Sequence, residues 1–183
     1  MKRIVTVVGV LLGIVILAAG AQALVPAVQA GPPGPKPVEF TLAGTTTALP
    51  APIPIPPPKP RFFAIRGLEA EGSVDGYFKN GEFTYTENIL ANSDMSQAAT
   101  KGDMTITVGG DTVKVTFFGV DQLDWSECQA QPCSPKVIVK DQPWVFTSGT
   151  GKYQGIKGGG VRNSVECDDP QKFCVKYTGK ILK

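Results

Sequence analysis

Six glycines fall between residues 147 and 160, in a stretch that also contains Tyr153 and no acidic residue. A phosphate-binding Walker loop or a dinucleotide fingerprint would open an amphipathic helix, and no helical pattern follows this stretch. Glycine within a strand pattern typically marks a bulge or a corner, because it accepts positive φ and permits close backbone approach. We therefore predict a tight corner between two β-strands here.

The order of residues in this stretch resembles a known signature. The sequence Gly149-Thr150-Gly151-Lys152-Tyr153-Gln154-Gly155-Ile156-Lys157-Gly158 is similar to the Gly-Thr-Gly-basic-aromatic-x-Gly-x-x-Gly motif of the allene oxide cyclase and dirigent superfamily, which includes bacterial secreted members. The resemblance implies an eight-stranded antiparallel barrel with an apolar interior. It also implies that the motif is a structural corner, formed by Gly149, Thr150, Gly151, Tyr153, Gly155 and Gly158. The catalytic residues of the plant enzymes lie outside the motif and match no position here, so the resemblance implies fold and not activity.

Most of the chain beyond residue 61 alternates apolar and polar residues with the period of two that is typical of strands. The pair Asn80-Gly81 between two such runs is a strong signal for a type I′ hairpin. In the last run, Phe173, Val175 and Tyr177 share one face. About eight such strands predict an all-β fold, and one apolar face per strand favours a closed antiparallel barrel around one core.

The first 60 residues have a different composition. Residues 1–30 begin with Met1-Lys2-Arg3, continue with an apolar run and end in small-residue motifs, which is typical of a signal peptide. An uncleaved membrane anchor is the alternative, because about 20 apolar residues are enough to span a bilayer. Residues 31–60 hold eleven of the sixteen prolines and are predicted to be a linker, in which residues 38–47 have the β-branched content of an extra strand. The barrel domain is expected to span residues 61–183.

Four cysteines and the absence of histidine limit the chemistry. In a protein that is secreted or periplasmic, or anchored and facing outward, four cysteines indicate two disulfides. Local pairing of Cys128 with Cys133 and of Cys167 with Cys174 is the simplest of three connectivities. A four-cysteine zinc site has unfavourable spacings, so we expect no metal and no cofactor. Without histidine the chain has no serine–histidine or cysteine–histidine catalytic pair, and a net charge of +2 does not favour nucleic acid.

Glu87 is the candidate for chemistry in the predicted barrel. By alternation it shares a face with Phe83 and Tyr85, so its carboxyl would lie among apolar groups with a raised pKa and would be a weak candidate for a general base. The alternative is a solvated position at the strand end. The residues expected to line a ligand cavity are Phe83, Tyr85, Glu87, Met104, Phe117 and Trp144. Asp121 and Asp124 are interpreted as solvated turn residues and not as calcium ligands.

Three functions fit this sequence, with a non-catalytic one favoured. The first is a secreted or periplasmic barrel that binds a small apolar ligand. The second is a cyclase or isomerase that acts on a lipid-like substrate inside the barrel, with assistance from Glu87. The third is a structural module of the envelope. We expect no nucleic-acid partner, membrane contact only through an uncleaved N-terminal segment, and a candidate homo-oligomer, since the superfamily that the chain resembles is often trimeric.

Overall fold

The computed structural model of the chain describes residues 34–54, 63–126 and 135–182. These residues form ten β-strands and one short 3-10 turn, Gly151–Tyr153. The strands are β1 Lys36–Ala48, β2 Ile53–Pro54, β3 Phe63–Gly76, β4 Gly81–Ala91, β5 Gln97–Val108, β6 Asp111–Asp124, β7 Lys136–Ile138, β8 Gln142–Gly149, β9 Lys157–Val165 and β10 Phe173–Leu182.

Eight of these strands close into an antiparallel barrel. Their hydrogen-bonded order is β1-β10-β9-β8-β6-β5-β4-β3, and an additional pairing of β1 with β3 joins the two ends of the sheet. The remaining two, β2 and β7, are short extensions that pair with β3 and β6. The predicted all-β fold and the predicted closed barrel of about eight strands are confirmed.

The first barrel strand corrects one predicted boundary. Strand β1 lies within residues 31–60, which were assigned to a linker, and it pairs with β10 on one side and β3 on the other. Its inward residues Val38, Phe40 and Leu42 are almost fully buried. The barrel therefore starts before residue 61, and the extra strand suggested for residues 38–47 is one of the barrel strands. The predicted signal segment, residues 1–30, lies outside the described residues.

The two ends of the barrel differ. At one end, which we call the corner end, the strands are joined by short turns at residues 77–80, at Gly109 and Gly110, and at residues 150–156. At the other end, which we call the disulfide end, β9 and β10 are joined by the loop that Cys167 and Cys174 close. The longer connections that follow β1 and β6 also leave from the disulfide end.

Aromatic side chains fill the barrel towards the corner end. The Phe40 ring stacks on Tyr177 with centroids 4.7 Å apart and meets Phe78 and Trp144 edge to face. Such edge-to-face pairs add to the burial energy of each ring. Tyr153 of the glycine-rich corner closes this end, 5.4 Å from the Phe78 ring. The corner end is therefore a packed core.

The glycine-rich stretch connects β8 and β9. Gly151, Gly155 and Gly158 have φ values of 51°, 74° and 132°, a region in which other residues are strained. The Thr150 hydroxyl accepts a hydrogen bond of 2.8 Å from the Thr112 amide, which ties the corner to β6. The stretch is a turn at one end of the barrel, with no helix following it.

One of the two predicted disulfides lies in the described residues. Cys167 and Cys174 are bonded, with their Cα atoms 5.4 Å apart, as local pairing predicts. Cys128 and Cys133 lie outside the described residues. A disulfide indicates an oxidising environment, extracellular or periplasmic.

Candidate functional site

A buried polar cluster lies inside the barrel on the disulfide-end side of the aromatic core. It consists of Glu87, Thr100, Asp121, Gln142 and Arg162, which have relative exposures of 3% to 7%. Each comes from a different strand, β4, β5, β6, β8 and β9 in that order. Because alternate residues of a strand face the same side, these five occupy inward positions in the same series as the core residues.

Arg162 is the centre of the cluster. Its Nε and Nη2 atoms both donate to Gln142 Oε1, at 3.1 and 2.6 Å, and Nη2 also lies 3.5 Å from Thr100 Oγ1. The guanidinium lies 3.8 Å from the centroid of the Phe117 ring, within the range of a cation–π contact. These contacts fix the plane of the guanidinium across the barrel interior.

Gln142 links Arg162 to the first of two carboxyl groups. Its Nε2 donates to Asp121 Oδ1 at 2.6 Å. Burial raises the pKa of Asp121, while the positive charge of Arg162 opposes that rise. Asp121 was predicted to be a solvated turn residue; this is wrong, because it occupies the inward register of β6, four residues beyond Phe117.

Glu87 is the second carboxyl group, and one of its oxygens has no hydrogen bond. Oε1 is fully buried and lies 3.7 Å from Arg162 Nη2, too far for a hydrogen bond. Burial raises the pKa of Glu87 from 4.5 to about 7; Arg162 opposes that rise and Asp121 adds to it. The alternative of a solvated strand end is thus excluded.

A bulge in the neighbouring strand lies beside Glu87. Glu87 pairs with Leu68 of β3, and the register of β3 shifts between Ile65 and Leu68. Gly67 within this bulge has a φ of 74°, and its amide donates to Asn88 Oδ1 at 3.1 Å. Bulges are frequent next to functional sites, because they redirect side chains locally.

Aromatic rings surround the polar cluster. Tyr85 lies edge-on to Phe117 at 5.6 Å, and the half-buried Phe173 ring lies 5.8 Å from Tyr85. Tyr177, whose neighbour across the ladder is Arg162, is fully buried. Burial raises the pKa of Tyr85 and of Tyr177, so both phenols are neutral at physiological pH.

The predicted ligand-lining residues divide between the core and the polar cluster. Glu87 belongs to the cluster, and Tyr85 and Phe117 lie beside it. Met104 and Trp144 are instead fully buried in the core. Phe83 joins the two groups, stacked against Tyr85 at 5.9 Å. Sequence reasoning missed Arg162, Gln142 and Thr100. In β9, alternation places Arg162 on the face opposite Val161 and Val165. An apolar-inward rule would turn the two valines towards the core and Arg162 towards solvent, but the valines are exposed and Arg162 is buried.

Two inward glycines make room for the cluster. A Cβ atom on Gly119 would lie 2.5 Å from Gln142 Cδ, and one on Gly102 would overlap the Phe117 ring. Neither glycine has a positive φ. Because these two positions have no side chain, the Gln142 side chain and the Phe117 ring have room to contact the Arg162 guanidinium.

A surface depression of about 450 Å³ lies on the outside of the barrel and does not include Glu87. Its lining is mainly the outward threonines and charged residues of β4, β5, β6 and β8. Within the described ranges, no group of three or more His, Cys, Asp or Glu side chains is arranged to hold a metal ion. The described residues also include no helix of the length and apolarity that a membrane span requires.

Comparison with known proteins does not identify a family. No family model matches the chain, and no curated protein matches it either; membership of the allene oxide cyclase and dirigent superfamily is therefore not confirmed. Among solved structures, the chain is similar to a protein of unknown function from Clostridium acetobutylicum ATCC 824, at 15% identity and a TM-score of 0.47, over 82% of this chain and 99% of that one. It is also similar to a pyocyanin demethylase, at 15% identity and a TM-score of 0.39, over 79% of this chain and 100% of that one.

Proposed function

We propose that the protein is a secreted or periplasmic β-barrel module that binds a small molecule at the polar cluster and does not transform it. The observation that carries the proposal is the buried Glu87 oxygen without a hydrogen bond. Buried polar atoms in proteins nearly always have a partner, and the exceptions call for a specific explanation. A ligand that donates a hydrogen bond to this oxygen supplies the missing partner.

The surroundings of Glu87 determine the rest of the ligand. Tyr85 and Phe173 provide ring surfaces beside the cluster, and small-molecule sites in barrels typically combine apolar walls with a few placed polar groups. The ligand therefore has a mainly apolar or aromatic body and one donor group. The corner end is closed by packed rings, so the ligand enters from the disulfide end.

The compartment of this proposal follows from the disulfide and the N-terminal sequence. The Cys167–Cys174 bond supports an oxidising environment, and residues 1–30 supply the predicted export signal. Sequencing the N-terminus of the protein recovered from the culture fluid or the envelope distinguishes a cleaved signal from a retained anchor.

A second candidate function is proton transfer in a cyclase or isomerase. One observation favours it: a Glu87 pKa of about 7 lies where a general base works best near neutral pH. A structural module of the envelope is the third, and the packed rings of the corner end favour it. Retention of a ligand separates the first two functions from the third, and turnover of that ligand separates the first from the second.

The decisive experiment is native mass spectrometry of the full chain purified from its host. We expect a bound small molecule that is lost from Glu87→Gln and kept by Glu82→Gln, an exposed carboxyl on the outer face of the same strand. A ligand-free spectrum for the wild-type protein, with an interior that excludes every added probe, contradicts the proposal and favours the structural module.

A further inference from the structure

We propose that the ligand of the polar cluster is an organic cation, an amine or a nitrogen heterocycle carried on an aromatic body. This inference rests on the proposed function and goes beyond it, because it assigns the charge of the ligand. It is drawn from the balance of charges in the cluster, from the contacts that occupy Arg162, and from the rings around Glu87.

The cluster holds two carboxyl groups and one cation. Glu87 and Asp121 are both buried, and Arg162 is the only lysine or arginine among the buried residues of the described ranges. When both carboxyl groups are ionised, the cluster therefore carries one excess negative charge in a region of low dielectric constant. Such a charge is costly unless it is protonated or paired.

Arg162 does not satisfy both carboxyl groups. Its Nε and Nη2 atoms are directed at the same oxygen of Gln142, and its face is covered by Phe117. It lies 3.7 Å from Glu87 Oε1, an ion pair without a hydrogen bond. An added anion would increase the excess negative charge, whereas a cationic donor would neutralise it and would give Glu87 its missing hydrogen bond.

The rings around Glu87 suit the same class of ligand. Tyr85 precedes Glu87 on the inward face of β4, and Phe173 and Phe83 lie beside Tyr85. Aromatic faces attract cations through their quadrupole, most strongly where water is excluded. Because Tyr85 and Tyr177 are neutral phenols, they add no charge of their own.

A proton competes with such a ligand for Glu87. The charged groups that act on this carboxyl are Arg162 from β9 and Asp121 from β6. The Thr100 hydroxyl of β5 and the phenols of Tyr85 and Tyr177 also lie near it. Since the pKa of Glu87 is about 7, the carboxyl is mainly protonated at pH 6 and mainly ionised at pH 8. Cation affinity is therefore expected to rise about tenfold between these two pH values.

The test compares three probes of nearly equal size that differ in charge: benzylammonium, benzyl alcohol and benzoate. Binding to the full chain is measured by isothermal titration calorimetry at pH 6 and pH 8, conditions in which the amine stays protonated. We expect benzylammonium to bind at least tenfold more tightly than the other two at pH 8. The preference should disappear in Glu87→Gln and persist in Glu82→Gln, with thermal unfolding used to verify that both variants are folded.

The outcomes separate this inference from the proposed function. If benzyl alcohol or benzoate binds as tightly as the cation, the charge assignment is wrong while ligand binding by the barrel stands. A cation preference that survives in folded Glu87→Gln, or that does not change between pH 6 and pH 8, also overturns the assignment. If no probe binds, the assignment fails, and the retained ligand of the host-purified protein decides the proposed function independently.

Discussion

At the scale of single residues, Glu87 links the stability of the barrel to pH. Its folded pKa of about 7 lies above its ordinary value of 4.5, so the folded protein holds this proton more tightly than the unfolded protein does. The stabilising contribution is complete below pH 4.5 and is lost as the pH rises through about 7, by about 3 kcal/mol in total. Asp121 shifts in the same direction.

We predict that Glu87→Gln raises the free energy of unfolding at pH 8, because the neutral amide avoids the cost of a buried charge. The gain should approach 3 kcal/mol at pH 8 and should vanish near pH 4.5. Urea unfolding at a series of pH values measures it, with Glu82→Gln as the exposed control. A variant that is less stable than the wild type at pH 8 would show that ionised Glu87 is well compensated.

Removal of Arg162 should have the opposite effect. Arg162→Met leaves Asp121 and Glu87 buried without their cation and deprives Gln142 Oε1 of two donors. Breaking a buried ion pair in this way typically costs about 3 to 5 kcal/mol. Lys180→Met, on an exposed position of β10, is the control. Loss of less than 1 kcal/mol in urea unfolding at pH 8 would contradict the role of Arg162 as the centre of the cluster.

At the scale of elements, the strand pattern was predictable and the contents of the interior were only partly so. Alternation predicted the inward faces of β4 and β10, because apolar residues mark them directly. Strand β9 gave no such signal, since three glycines follow its first residue and its valines face outward. Arg162 and Gln142 are polar residues on inward positions, and only their partners across the barrel make those positions tolerable. A single sequence carries no record of those partners.

Gly119 illustrates a second limit of sequence reasoning. The residue lies in mid-strand with no positive φ, so no turn rule identifies it. We predict that Gly119→Ala destabilises the barrel by about 1 to 3 kcal/mol, because the added Cβ would lie 2.5 Å from the Gln142 side chain. Thermal unfolding measures the loss. Gly34→Ala, where the added atom meets nothing within 4 Å, is the matched control; equal effects of the two substitutions would rule out the packing explanation.

At the scale of the whole molecule, closure depends on β1. This strand pairs with both β3 and β10 and buries Val38, Phe40 and Leu42, a contribution of about 5 to 9 kcal/mol from the side chains alone. We predict that a chain starting at residue 61 does not fold, whereas a chain starting at residue 34 does. Circular dichroism and cooperative unfolding distinguish the two. A folded product from residue 61 would show that seven strands suffice.

Exposed apolar residues on the outer surface of the barrel bear on the predicted homo-oligomer. Neighbouring strands β6, β8 and β9 expose Phe118, Val120, Val145 and Val161 to solvent. Exposed apolar residues that lie together often belong to a contact surface. The subunit count from native mass spectrometry of the full chain tests the predicted homo-oligomer directly.

The double pairing of β1 also determines when this protein finishes folding. Lys36 lies opposite Ile181, so the barrel cannot close until β10 has been synthesised. Contacts between residues this distant in sequence slow folding, and the unpaired edges of the open sheet stay exposed until the barrel closes. Late closure would suit the export that we propose, because a chain must be unfolded to be threaded through a translocation channel.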